Sequence, residues 1–257
     1  MLLPNKTAII YGAAGTIGSA VARAYAREGA TVHLAGRTAG TLERIAGSLR
    51  DAGATAHVAT VDVLDPRAVE RHAANVTQAS GSLDICFNAT SNDDIQGQTL
   101  LDMRLDEVMQ PVRKALTAHF NIATTVARHM ARGTGGVILV MAGGREAIPR
   151  LGGSHIAWAA LAGLSRQLAA DLGPHNIRIA WLLSPGSPGL GHEDAPRAEP
   201  EPDDAQGVKA PPGAEGLLPN HQPTYEEVAN IAAFLASDAA RTMTATEINL
   251  TGGAVID

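Results

Sequence analysis

The sequence predicts a Rossmann-like α/β fold: a doubly wound parallel sheet of about seven strands with helices on both faces. Short β-branched apolar runs alternate with helix-periodic segments at the spacing of βα units. The first such run passes through a glycine-rich loop directly into a helical pattern. The 257 residues suit one domain of this kind. No internal repeat beyond the βα rhythm and no domain boundary interrupts them, so 1–257 is read as one domain.

The elements follow in order. Residues 6–11 are a β-branched apolar run and the first strand; 12–18 are the glycine loop, and a helix continues to about 28. A second strand is expected at 31–35, a helix at 38–51 and a third strand at 55–61. The helix at 66–79 opens on Pro66, tolerated in a first turn because its missing N–H would have no partner there. A fourth strand falls at 83–87. A long helix spans 105–131, kinked or restarted at Pro111. A fifth strand at 137–141, a helix at 153–173 and a sixth strand at 177–183 follow. The last pair is a helix at 224–237 and a strand at 247–250.

Composition narrows the function. Apolar residues at 45% and charged residues at 18% mark a globular chain. One cysteine, Cys86, excludes an internal disulfide framework and a Cys-rich zinc site, so no metal is expected and a reducing, cytoplasmic setting is. A net charge of −6 argues against a nucleic-acid groove. No apolar run reaches the roughly 20 residues of a membrane span, and Pro4, Asn5 and Lys6 interrupt any signal-peptide pattern. The charge is concentrated in 187–222, which holds seven acids, two bases and seven of the fourteen prolines. Without periodicity, this acidic Pro-rich segment reads as a lid or substrate loop, with disorder as the alternative.

The glycine loop carries the first chemistry. Gly12, Gly15 and Gly18 permit a tight turn, close backbone approach to a pyrophosphate and close helix packing. The N–H groups at the helix start, from Thr16 and Ile17 onward, then face the phosphates. The plainer alternative is a packing turn. An acid ending the second strand would bind a ribose 2′-hydroxyl, but that end reads Leu34-Ala35-Gly36-Arg37. Arg37 is placed to meet a 2′-phosphate, so NADP is favoured over NAD, against the alternative of a solvated surface arginine.

At this point the chain resembles the short-chain dehydrogenase/reductase family, in its single-domain branch, over nearly its whole length. Gly12-Ala13-Ala14-Gly15-Thr16-Ile17-Gly18 is similar to the family's glycine loop. Asp62-Val63 matches the acid that members aim at the adenine. Asn88 keeps the first asparagine of the family's Asn-Asn-Ala-Gly run. Ser184-Pro185-Gly186 resembles the turn near the nicotinamide. Glu226-Glu227-Val228-Ala229, 234–238 and Asn249-Leu250-Thr251-Gly252-Gly253 match the C-terminal signature. The resemblance implies cofactor contacts at these positions and a homo-oligomer, most simply a tetramer.

The same resemblance implies a catalytic tyrosine four residues before a lysine, where lysine lowers the tyrosine pKa. The run 158–164 aligns so that Trp158 takes the lysine position and Ser154 the tyrosine position. The supporting serine falls near Ala142 or Gly143, and the helix asparagine at Ala115. All four positions are lost by this alignment. No tyrosine elsewhere stands four before any of the three lysines, Lys6, Lys114 and Lys209. Ser154 and His155 are the remaining catalytic candidates. Histidine is the residue type suited to proton transfer near neutral pH, but His155 lies about 100° around the helix from the tyrosine position, and a packing or interface role is its alternative. Arg145 and Glu146, just after the fifth strand, are further candidates at the carboxyl-end rim; Asn92-Asp93-Asp94 are also rim candidates, with loop solvation as the simpler reading.

Two classes of function follow. One is an NADP(H)-binding oxidoreductase of a small-molecule substrate with a non-standard active site lacking the Tyr-x-x-x-Lys pair. The other is a pseudoenzyme, sensing nucleotide or serving as a non-catalytic subunit beside an active paralogue. A non-redox enzyme in the same pocket is a third variant.

Overall fold

The computed structural model describes residues 1–145, 147, 149–183 and 223–253. Seven strands form one sheet: β1 (Thr7–Tyr11), β2 (Thr31–Gly36), β3 (Ala56–Thr60), β4 (Ile85–Asn88), β5 (Gly136–Ala142), β6 (Ile177–Leu183) and β7 (Thr246–Asn249). Their order is β3-β2-β1-β4-β5-β6-β7 and every pairing is parallel. Between them run α1 (Thr16–Arg27), α2 (Ala39–Asp51), α3 (Pro66–Ser80), α4 (Leu105–Met130), α5 (Ser154–Leu172) and α6 (Tyr225–Ala236).

The two faces are read from the strand alternation. Ala8 and Ile10 of β1 join a core with α1, α2 and α6, through Val21, Leu42 and Val228. Ile9 and Tyr11 point the other way, into a core with α3, α4 and α5, through Val69, Ile122 and Leu168. A strand buried on both faces needs apolar residues at consecutive positions, and all five residues of β1 are buried. Helix ends follow their caps. Asp65 accepts from the Arg67 N–H before Pro66, and Gly81 takes the left-handed conformation that ends α3. Thr224 and Glu227 form a reciprocal capping box on α6.

Of the kink or restart expected at Pro111, the restart does not occur: α4 is one helix from Leu105 to Met130 with Pro111 inside it. The proline sits in the second turn and is buried against the start of α5. A Cβ on Gly153 would lie 1.9 Å from the Val108 carbonyl oxygen and 2.9 Å from Pro111 Cγ, so glycine lets α5 begin directly on this part of α4. The pyrrolidine ring is packed rather than disruptive there. No described helix is long and apolar enough to cross a membrane.

Candidate active site

The strand order reverses between β1 and β4, and ligands bind such sheets in the crevice beyond the strand C-termini at that point. The residues at this rim are therefore the candidates. Gly12 follows β1 with φ of +79°. A Cβ there would lie 2.4 Å from the Ala89 carbonyl oxygen. A Cβ on Gly18 would lie 2.3 Å from the Gly12 carbonyl oxygen. Only glycine allows the loop, the start of α1 and the end of β4 to close to this distance. Gly15 is the N-cap of α1, and no side chain caps that end. The first-turn N–H groups of Thr16 and Ile17, which have no partner within a helix, are thus left for an anion.

Arg37 follows β2 and is exposed. Asp62 follows β3; its carboxylate accepts from the Leu64 N–H at 3.0 Å. The Val63 carbonyl accepts from the Asn121 side-chain amide of α4 at 3.0 Å, which ties the β3 end to that helix. Asn88 ends β4 and is buried. Its Oδ1 accepts from the Thr90 N–H (3.1 Å) and Thr90 hydroxyl (2.8 Å), and its amide meets His119 Nδ1 at 3.5 Å. His119 Nε2 lies 3.2 Å from Ser165 Oγ on α5. Burial pushes His119 down to about 4. A neutral ring that accepts at Nδ1 and donates at Nε2 satisfies both neighbours. This network fixes the Asn88 amide and, through Thr90, the loop that touches Gly12.

The remaining candidates lie on α5 and its approach. Ser154, the first residue of α5, is buried, and its Oγ accepts from Gln96 Nε2 at 3.2 Å. The Trp158 indole lies flat against the chain after β5: a Cβ on Gly143 would come within 2.0 Å of the ring. His155 Nε2 donates to the Arg145 carbonyl at 2.7 Å. That bond ties the ring to the chain leaving β5. The Arg145 side chain pairs with Glu247 of β7. Asp93, beyond β4, is ion-paired with Lys114 of α4. Glu146, the Ser184-Pro185-Gly186 turn and the 187–222 segment lie outside the described residues.

Sequence reasoning did not find the His119–Asn88–Ser165 network, the Gln96 contact, the Trp158–Gly143 packing or the Lys114–Asp93 pair. Each joins residues far apart in the chain. The one available signal was composition: Lys114 is one of only three lysines, and it sits beside the position aligned with the helix asparagine.

A glycine-cradled helix start at the switch point of a parallel sheet defines a dinucleotide-binding Rossmann-type protein. The comparison with known proteins narrows this class. A family model described as enoyl-(acyl carrier protein) reductase matches residues 12–255. The chain is 30% identical over 264 residues to an A-factor type gamma-butyrolactone 1′-reductase (1S-forming) of Streptomyces virginiae, covering 99% of this chain and 97% of that one. A short chain dehydrogenase from Burkholderia cenocepacia J2315, solved in complex with NADP, superposes with a TM-score of 0.81 at 26% identity and 99% coverage of both chains. An NAD⁺-bound xylitol dehydrogenase shares the fold, with a TM-score of 0.84 at 23% identity, over 98% of this chain and 100% of that one. The chain belongs to the short-chain dehydrogenase/reductase family, whose members are oxidoreductases using a nicotinamide cofactor.

Proposed function

We propose that this protein is an NADP(H)-dependent oxidoreductase whose active site works without the tyrosine–lysine pair usual in its family. The observation that carries the reading is the cradle itself. Gly12, Gly15 and Gly18 have no room for side chains or leave the α1 start uncapped. Arg37 stands at the β2 end where an acid would favour a 2′-hydroxyl. The residues present fit the adenosine and pyrophosphate half of the cofactor. Gly12, Gly15, Thr16, Ile17 and Gly18 would hold the pyrophosphate, Asp62 and Val63 the adenine, and Arg37 the 2′-phosphate. The NADP complex of the Burkholderia relative supports this choice. When bound, the cofactor supplies or accepts a hydride at its nicotinamide.

The protein's own part is binding and proton handling. Trp158 and Gly143 pack together where the alignment places the family's lysine and, nearby, its serine. An indole offers one N–H donor and no charge. The Ser154 hydroxyl accepts from Gln96, which leaves its own O–H to donate to a substrate oxygen or a held water. A ring engaged at Nε2 leaves His155 only Nδ1 for a proton role. Among the described residues no tyrosine takes the place of the family's positioned acid, and losing one such acid slows turnover of simple ketones by about 10²–10⁴-fold. The substrate is a small molecule, and the assembly a homo-oligomer built on the exposed faces of α4 and α5, which carry Phe120 and Ile156.

The test is NADPH oxidation with simple ketones. Ser154→Tyr with Trp158→Lys should raise the slow wild-type rate at least tenfold. Robust wild-type turnover, unchanged in Ser154→Ala and in His155→Ala, would overturn the assignment of the site.

A further inference from the structure

We infer that Gln96 is a specificity-determining residue of this site, one that selects substrates carrying a hydroxyl on the carbon next to the reacting one. The inference rests on the proposed reading of the start of α5 as the reacting centre, and it names the substrate feature that this centre takes.

β4 and β5 are adjacent and parallel. The chains that leave them therefore emerge side by side at the carboxyl rim, where ligands bind such sheets. The first of these, 89–104, is pinned along its length. Asn88 Oδ1 holds Thr90 at its start. Asp93 pairs with Lys114 of α4. The Gly97 N–H donates to the Arg150 carbonyl at 2.9 Å. The Ile95 carbonyl lies so near Gly152 that a Cβ there would come within 2.5 Å of its oxygen. The Thr99 hydroxyl donates to Asp102 at 2.7 Å shortly before α4 begins.

The backbone on both sides of Gln96 is thus held against the approach to α5. The side chain is held as well, because Nε2 donates to Ser154 Oγ at 3.2 Å. Ser154 is fully buried, whereas Gln96 is exposed. A substrate oxygen that approaches the Ser154 hydroxyl therefore meets the Gln96 amide.

A carboxamide has one acceptor oxygen and two N–H donors. One N–H is taken by Ser154, and among the described residues the Gln96 side chain makes no other hydrogen bond. Oε1 and the second N–H are left for a ligand. Oε1 shares its carbon with Nε2, so it lies within a few ångströms of Ser154 Oγ. That is the span between oxygens on neighbouring carbons. A hydroxyl beside the reacting carbon donates to Oε1 while the reacting oxygen meets the Ser154 hydroxyl. A simple ketone has no donor. It displaces water from Oε1 and leaves that oxygen unpaired, which costs about fivefold or more in affinity.

The test is ligand-observed NMR titration of the full chain, with NADP⁺ present, using acetoin, acetoin methyl ether and butanone. The ether keeps the oxygen on the neighbouring carbon and lacks only its donor. Wild-type protein should bind acetoin at least fivefold more tightly than the ether or butanone. Gln96→Leu should bring acetoin to within twofold of the ether. Gln96→Glu keeps the acceptor and can still pair with the Ser154 hydroxyl, so it should retain most of the preference. Loss of the preference in Gln96→Leu but not in Gln96→Glu separates a contact with the ligand from a general disturbance of the loop. Equal wild-type affinity for acetoin and its ether, or a preference that Gln96→Leu leaves intact, would overturn this inference and leave the oxidoreductase reading standing. A preference that Gln96→Leu removes, without any NADPH oxidation on acetoin, would sustain the inference and overturn that reading.

Discussion

Acid should unfold this protein through three buried histidines. Burial pushes His33, His72 and His119 from 6.5 to about 4, with the stacked His57 ring adding to the effect on His33. All three are less than 10% exposed. A depressed histidine binds fewer protons in the native chain than in the unfolded one between those two values. Its stabilising contribution is therefore complete above about pH 6.5 and is lost as the pH falls toward 4. Between pH 7 and pH 5 each such histidine costs roughly 2 kcal/mol, and the three together roughly 5–6 kcal/mol. That is comparable with the whole stability of a marginal domain. Urea titrations at pH 7, 6 and 5 measure it. His119→Leu provides the internal control. It orphans the Asn88 amide and the Ser165 hydroxyl, so stability at pH 7 should fall by about 1–3 kcal/mol. It also removes one of the three titrations, so the loss between pH 7 and pH 5 should shrink by about a third. A variant that loses as much as the wild type over that interval would refute the account of His119 as a neutral, buried bridge.

Two further predictions concern packing and assembly. Gly143→Ala drives a methyl into the Trp158 ring and should destabilise by about 1–3 kcal/mol. Combining it with Trp158→Leu should recover most of that loss, and thermal melts that show no coupling between the two sites would refute the contact. Light scattering at micromolar concentration should give the mass of a homo-oligomer, a tetramer by the family resemblance, and a monomer would refute the proposed assembly.

The fold was legible because its signals are local. The β-branched runs, the glycine loop and Pro66 each act within a few residues, and the observed strand and helix ends fall within about three residues of those read from sequence. No restart occurs at Pro111, because the rule against internal proline describes a helix in isolation. In this chain Gly153 brings α5 directly onto the ring, a tertiary contact that no window of α4 contains. The glycine turn was legible for the same reason as the fold, since its requirement for glycine is a property of the backbone. The side-chain chemistry was not. Asn88, His119 and Ser165 come from a strand and two helices, and nothing in their spacing announces a shared network. Asp93 read as a solvated loop acid because its partner lies 21 positions away. The fit of Trp158 to Gly143 shows only once β5 and α5 are brought side by side.

The proposed NADP(H) preference is open to direct measurement. Calorimetric titration with NADPH and NADH, in the wild type and in Arg37→Ala, measures this without requiring turnover. A charge-assisted contact to the 2′-phosphate is worth about 1.5–3 kcal/mol. NADPH should therefore bind at least tenfold more tightly than NADH, and Arg37→Ala should remove most of that margin. Equal affinities for the two cofactors, unchanged by the substitution, would contradict it.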